Sequence, residues 1–240
     1  MKSFTLSALS TLATVFAMGT AHADVVAQWN FNSAKPDGST STGSTLPSVG
    51  AGSLNLIGGV TSPSFNSATG SSDPAASDNS GWQTTTYGAQ GSGNKARGLE
   101  VKVDASAFTD VVFTYDLRHS NTSSRYELAQ YSLDGVNFID YAVFDGNQGD
   151  TWFNGRTIDL SNIAGADHNA NLAFRVVATF APGTSGYLAS DASKTFAGSG
   201  TWRFDMVTVT ATPVPEPSSS AAALAGLAAV GFLASRRRAA

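Results

Sequence analysis

The sequence predicts an all-β domain, a two-sheet antiparallel β-sandwich of the jelly-roll kind, and three observations carry that prediction. Beyond Gly98, apolar residues recur at every second position in one run after another, the period of a half-buried strand. The runs are separated by short clusters of Gly, Asn, Asp and Ser, the residues that tight turns select. Between the two ends of the chain no long stretch repeats its apolar residues at helical spacing.

Taken in order, Trp29 and Phe31 flank Asn30 and place a first strand near the start of the domain. From Asn32 to Gly98 the chain is mostly Ser, Gly, Thr, Asn and Ala, with apolar islands only at Leu54-Asn55-Leu56-Ile57 and around Trp82 and Tyr87. Gly and Ser are costly to order without burial, so residues 32–98 read as long loops joining one or two short strands, laid over the sheets by Trp82 and Tyr87. Val101 and Val103 then alternate with Lys102 and Asp104, and Val111, Phe113, Tyr115 and Leu117 alternate with Val112, Thr114, Asp116 and Arg118. Arg125 to Leu133 is a further strand with Glu127, Ala129, Tyr131 and Leu133 on one face, and a turn at Asp134-Gly135 folds it onto Asn137 to Phe144 as a hairpin. Leu172, Phe174, Val176, Ala178 and Phe180 make another alternating set, and Trp202, Phe204 and Met206 make the last. About seven to nine short strands are expected, with the first and last pairing as they do in antiparallel sandwiches.

Both ends of the chain read as address rather than domain. Met1 to Ala23 has a positive start at Lys2, an apolar stretch from Phe4 to Met18, and a small-x-small site at Ala21-His22-Ala23. That is a signal peptide for Sec export, with signal peptidase expected to cut after Ala23. At the other end, Pro213, Pro215 and Pro217 deny the chain ladder hydrogen bonds and mark the end of the domain. Seventeen residues from Ser218 to Ala234 carry no charge, and Arg236, Arg237 and Arg238 follow. An uncharged run of that length is near the lower limit for crossing a bilayer as a helix. The arginines orient that end toward the cytoplasm, leaving the bulk of the chain on the periplasmic side of the inner membrane. The expected division is therefore a signal peptide over 1–23, a sandwich domain over 24–212, and a tail over 213–240 with a single transmembrane helix at about 218–234.

The order of that tail, Val214-Pro215-Glu216-Pro217, an apolar helix and an arginine cluster, resembles the PEP-CTERM sorting signal of Gram-negative bacteria. The resemblance implies exosortase as processing partner, a membrane-anchored precursor, and a mature form at the cell surface or released. It implies handling and leaves the domain's own activity open. Within the domain, Tyr131-Ser132-Leu133-Asp134-Gly135-Val136-Asn137-Phe138 and Trp202-Arg203-Phe204-Asp205-Met206-Val207-Thr208-Val209 resemble strands of galactose-binding-like jelly rolls that bind carbohydrate.

Composition narrows the chemistry. Between Asp24 and Glu216 ten basic residues face eighteen acidic ones, a net charge of −8. Scattered cations on an acidic domain do not make a nucleic-acid surface. With no cysteine in the chain, disulfides, thiolate zinc sites and cysteine nucleophiles are all excluded. His119 and His168 sit in no motif, and no nucleophile elbow, zinc-protease helix, phosphate loop or EF-hand occurs. Asp116 and Glu127 could face one another across adjacent strands as a carboxylate pair, although an exposed pair neutralised by Arg118 and Arg125 is the simpler expectation. The loop Asp145-Gly146-Asn147-Gln148-Gly149-Asp150 is rich in oxygen ligands, but reads first as a solvated connection, so neither metal nor cofactor is expected.

Aromatic rings in Gly/Ser/Asn-rich surroundings can stack on sugars. The candidate glycan contacts are Trp82, Tyr87, Trp152 and Tyr187, while Trp29 and Trp202 read as core. The functional expectation is a non-enzymatic exported surface or extracellular-matrix protein associated with exopolysaccharide or biofilm. A carbohydrate-binding module with a defined glycan is the alternative, and an extracellular hydrolase the distant one.

Overall fold

The computed structural model describes residues 22–214. Ala21, the tail beyond Val214 with Pro215, Glu216, Pro217 and Arg236 to Arg238, and the expected helix over 218–234 lie outside the described residues. Twelve strands are present among the described residues: β1 (Asp24–Trp29), β2 (Val49–Gly50), β3 (Ser53–Ile57), β4 (Thr61–Ser67), β5 (Ser80–Thr85), β6 (Gly98–Ala105), β7 (Phe108–His119), β8 (Tyr126–Ser132), β9 (Ile139–Asp145), β10 (Thr151–Asp159), β11 (Asn169–Thr179) and β12 (Trp202–Pro213). No helix occurs among the described residues. The stretch over 32–98 holds four short strands where its composition points to one or two, because Phe65, Trp82 and Val60 give it enough burial to order the polar chain.

The strands form two antiparallel sheets. Sheet A runs β10-β7-β12-β1-β2, with β5 and then β4 added along the start of β12, and sheet B runs β3-β6-β11-β8-β9. First and last strands pair, Asp24 with Ala211 and Trp29 with Val207. The hairpin at Asp134-Gly135 joins β8 to β9. Gly135 adopts φ +72° in that turn, a backbone region that side chains with a Cβ disfavour.

The alternating sets form the core. Val111, Phe113, Tyr115 and Leu117 of β7 and Leu172, Phe174, Val176 and Ala178 of β11 are completely enclosed. Phe113 and Phe174 stack across the two sheets with ring centroids 4.7 Å apart, each ring contributing roughly 1.5–3 kcal/mol by leaving water. The last strand departs from simple alternation. Trp202 and Phe204 point inward as expected, but Met206 adopts φ +45° and is only half-buried, and the register with β7 shifts between Asp205 and Thr208. That bulge changes the parity, so Val207, Val209 and Ala211 continue the core in place of Met206.

Glu127 and Asp116 do not form the exposed pair expected of them. β7 lies in sheet A and β8 in sheet B, so the two residues belong to opposite layers, and both are buried. Glu127 Oε2 is 3.2 Å from His119 Nε2 and Oε1 is 3.0 Å from Arg156 Nε. His119 Nδ1 is 2.8 Å from the Ser124 carbonyl, which can only accept, so Nδ1 carries a proton. The Arg156 guanidinium lies between the Phe144 and Phe153 rings at 4.9 and 4.8 Å. Gly146 closes this cluster: a Cβ there would sit 2.5 Å from His119 Nε2. His119 and Glu127 are sealed from solvent, Arg156 reaches partly out to it, and the set joins the sheets. Arg118 and Arg125 have other partners, Asp150 at 2.9 Å and Asp145 at 2.7 Å, so guanidinium groups hold both carboxylates of the oxygen-rich 145–150 loop.

Candidate functional site

At the end of β1 away from Asp24 the surface opens into a cleft of about 550 Å³, bounded by residues 30–36, 44–48 and 75–78. Its floor follows from one backbone feature. Phe31 adopts φ +53°, a conformation that costs a bulky residue on the order of 1–3 kcal/mol. The turn sends the Phe31 ring into the core, stacked on Trp82 at 5.7 Å, and leaves the flanking amides of Asn30 and Asn32 lining the cleft.

Asn32 is held from both sides. Its Nδ2 donates to Asp73 Oδ2 at 2.8 Å and its Oδ1 accepts from the Ser80 amide at 2.8 Å. Opposite stands Asp78, 5% exposed and with φ +60°. Its Oδ1 is buried without a hydrogen-bond partner among the described residues. Burial, then the nearby Asp37 carboxyl, push the Asp78 carboxyl above its ordinary range. Asp37 is held low chiefly by the Thr42 hydroxyl, which donates to Oδ2 at 2.7 Å. Leu46, 74% exposed, forms an apolar part of the rim with Pro36 and Pro47. The cleft thus offers two side-chain amides and short aliphatic surface, with the unpartnered Asp78 Oδ1 buried in its wall. Ser48 Oγ donates to the Gln28 carbonyl and Ser33 Oγ to Thr42, so neither hydroxyl is paired with a general base. This is equipment for holding hydroxyl groups.

The four aromatic candidates are dispersed. Trp82 is buried beneath the cleft floor. Tyr87 is buried against Trp202 at 4.6 Å, with its hydroxyl 2.5 Å from Thr84 Oγ1, and burial raises its phenol far above the usual range. Tyr187 packs between Phe180 and Phe196 and donates its hydroxyl to the Ser92 carbonyl at 3.1 Å. Trp152, on β10, is half-buried beside Gly70. The structure brings no two of these rings together on one face. The cleft residues Asn30, Asn32 and Asp78 carried no signal in the sequence, since each is a common loop residue and the segments holding them are about forty residues apart.

A second buried acidic group lies under the loop before β5. Asp205 and Asp116 are directly opposite one another on β12 and β7. Asp205 accepts from Ser71 Oγ at 2.6 Å and the Met206 amide at 2.8 Å, and Asp116 accepts from the amides of Ser72 at 2.6 Å and Gly155 at 2.8 Å. Burial above all, then the charges of Asp73 and Asp116, raise the Asp205 carboxyl to about 8. Among the described residues no group of three acidic or histidine side chains is placed to hold a metal ion.

Comparison with solved structures returns, at low identity, carbohydrate-binding modules and the K1 and K2 cleaved adhesin domains of Lys-gingipain. The CBM22-1–GH10 modules of endo-1,4-β-D-xylanase 10B from Clostridium thermocellum, complexed with xylohexaose, are 12% identical over 66% of this chain and 26% of that one, with a TM-score of 0.40. The N-terminal tandem CBM22 domain of Xyn10C from Paenibacillus barcinonensis is 12% identical over 67% of this chain and 45% of that one, at 0.41. A variant of the family 29 carbohydrate-binding module CBM29-2 is 10% identical over 82% of this chain and all of that one, at 0.36. The chain thus spans about a quarter and under half of the two xylanase fragments. No curated protein matches it. Residues 213–238 match the family described as the PEP-CTERM protein-sorting motif, so this chain carries that sorting signal directly where its last strand ends.

Proposed function

We propose that this protein is a non-catalytic, exported surface or matrix component, in which the sorting tail delivers the sandwich to the outside of the cell for a role in exopolysaccharide or biofilm organisation. One observation carries the reading: the matched motif begins at residue 213, the last residue of β12, and β12 lies between β7 and β1 inside sheet A. The whole sandwich is therefore the cargo of the signal. In this reading signal peptidase removes residues 1–23, the apolar segment over about 218–234 holds the precursor in the inner membrane with its domain on the periplasmic side, and exosortase acts at Val214-Pro215-Glu216-Pro217. Replacing Pro215-Glu216-Pro217 by alanines should leave a full-length, membrane-bound form. Intact mass of the exported protein checks this, and a wild-type species still ending at Ala240 in a host carrying exosortase would remove processing from the account.

The cleft favours a second reading, a carbohydrate-binding module with a defined glycan. Asp78 lines the cleft, and its Oδ1 is closed off from solvent without a partner; a shift of the wall that let a sugar hydroxyl donate to it would relieve the desolvation of a buried acceptor. If so, a glycan array probed with the exported protein should give sharp binding that Asp78→Ala or Asn32→Ala weakens by about tenfold or more, in line with the roughly 1–3 kcal/mol of a buried polar contact. Trp152→Ala tests the aromatic alternative on the same array. Silence across the array would leave the structural role.

A further inference from the structure

We infer that the tethered precursor stands end-on at the membrane, so that the end of the sandwich carrying both chain termini faces the bilayer and the Asn30–Asp78 cleft is presented away from it. The inference rests on the proposed membrane tether and adds to it an interaction surface and a direction.

The observations are topological. β1 and β12 are antiparallel neighbours, and Asp24 pairs with Ala211. The first residue after the expected signal cleavage and the last residues before the sorting motif therefore leave the domain side by side, from adjacent strands about 4.8 Å apart. The exit of β12 is fixed to its neighbour: Pro213 is opposite Phe108, and the Val214 amide donates to the Ala107 carbonyl at 3.0 Å. Only Pro215-Glu216-Pro217 separates Val214 from the uncharged run that begins at Ser218. The four peptide units from Val214 to Ser218 reach at most about 14 Å. The cleft begins at Asn30, at the other end of the six residues of β1, roughly 20 Å along the strand. A tether of at most about 14 Å keeps the Ala107 end within reach of the headgroups and leaves the cleft outside it.

The facing end suits a surface that meets lipid through water. Asp24, Asp104, Asp110, Asp159 and Asp167 are all exposed there, gathered by the turns at 105–107 and 160–168: the Asp110 amide donates to Asp167 Oδ1 at 3.0 Å and the His168 amide to the Phe108 carbonyl at 2.9 Å. Carboxylates do not enter hydrocarbon, so this end rests against the headgroup layer without inserting. The same arrangement opens the cleft toward soluble polysaccharide before the tail is cut.

The chain has no cysteine, which makes single-site labelling clean. Ser106→Cys at the membrane end and Ser77→Cys at the cleft rim, both exposed positions, would each carry a fluorophore in the full chain reconstituted into phosphatidylcholine vesicles doped with headgroup-spin-labelled lipid. Quenching should be several-fold stronger at 106 than at 77. Equal or reversed quenching in protein that floats with the vesicles would overturn the end-on orientation alone. Failure of the full chain to float with them would overturn the tether and this inference with it.

Discussion

Phe174→Asp should abolish soluble, folded protein. Phe174 is completely enclosed and stacks on Phe113 across the two sheets, with Val101 and Tyr131 opposite it on the neighbouring strands. Removing the ring alone costs about 3–5 kcal/mol, and burying an unpaired carboxylate adds several more. The sum is comparable with the whole stability of such a domain, about 5–15 kcal/mol. Phe174→Leu, which keeps an apolar side chain, should remain folded with a loss of about 1 kcal/mol. Thermal unfolding of the two variants beside wild type checks both. An Asp variant that melts where wild type does would show that this face of β11 is not the core face.

Asp205→Asn should become progressively more stable than wild type as the pH rises from about 4 to about 8. In the folded chain the carboxyl titrates near 8 because it is buried beside Asp73 and Asp116, whereas in the unfolded chain it titrates near 3.8. The sign follows from proton binding. Below pH 4 both states hold the proton and the group is neutral to stability. Between 4 and 8 only the folded state holds it, so stability relative to low pH falls with every pH unit, and above 8 the loss is complete. The full span amounts to several kcal/mol. An amide cannot titrate, so the variant lacks this slope. The melting difference between variant and wild type should grow from near zero at pH 4 to a plateau above 8. Groups such as Asp134, which is held low by Asn137 and the turn amides, act at acid pH in both proteins and cancel. A flat difference across the range would show that Asp205 ionises normally in the folded state.

Local pattern carried most of the sandwich. Strands β6, β7, β8, β11 and the start of β12 were legible because each alternates apolar and polar residues with period two, and the Asp134-Gly135 turn was legible because Gly135 permits a positive φ. Met206 was not, because a bulge shifts parity without changing composition. Glu127, His119 and Arg156 were not, because residues from β8, β7 and β10 meet only when two sheets close. Alternation puts Glu127 on the inward face with Ala129 and Tyr131, and its charge argued for the opposite side; the ion pair with Arg156 made across the layers decided it.

The sequence by itself determined that this chain carries a sorting signal and the class of its fold. Sorting signals are read as linear chain, and strand faces are written in nearest-neighbour alternation, so neither needs distant contacts. Only the tertiary structure formed the candidate cleft. Asn32 and Asp78 reach one cleft because Phe31 turns into the left-handed region and Trp82 fills the space beneath it, and Asp24 reaches the side of Ala211 because β1 closes on β12. Those proximities depend on loop closure and burial across long stretches of chain, and no local period records them.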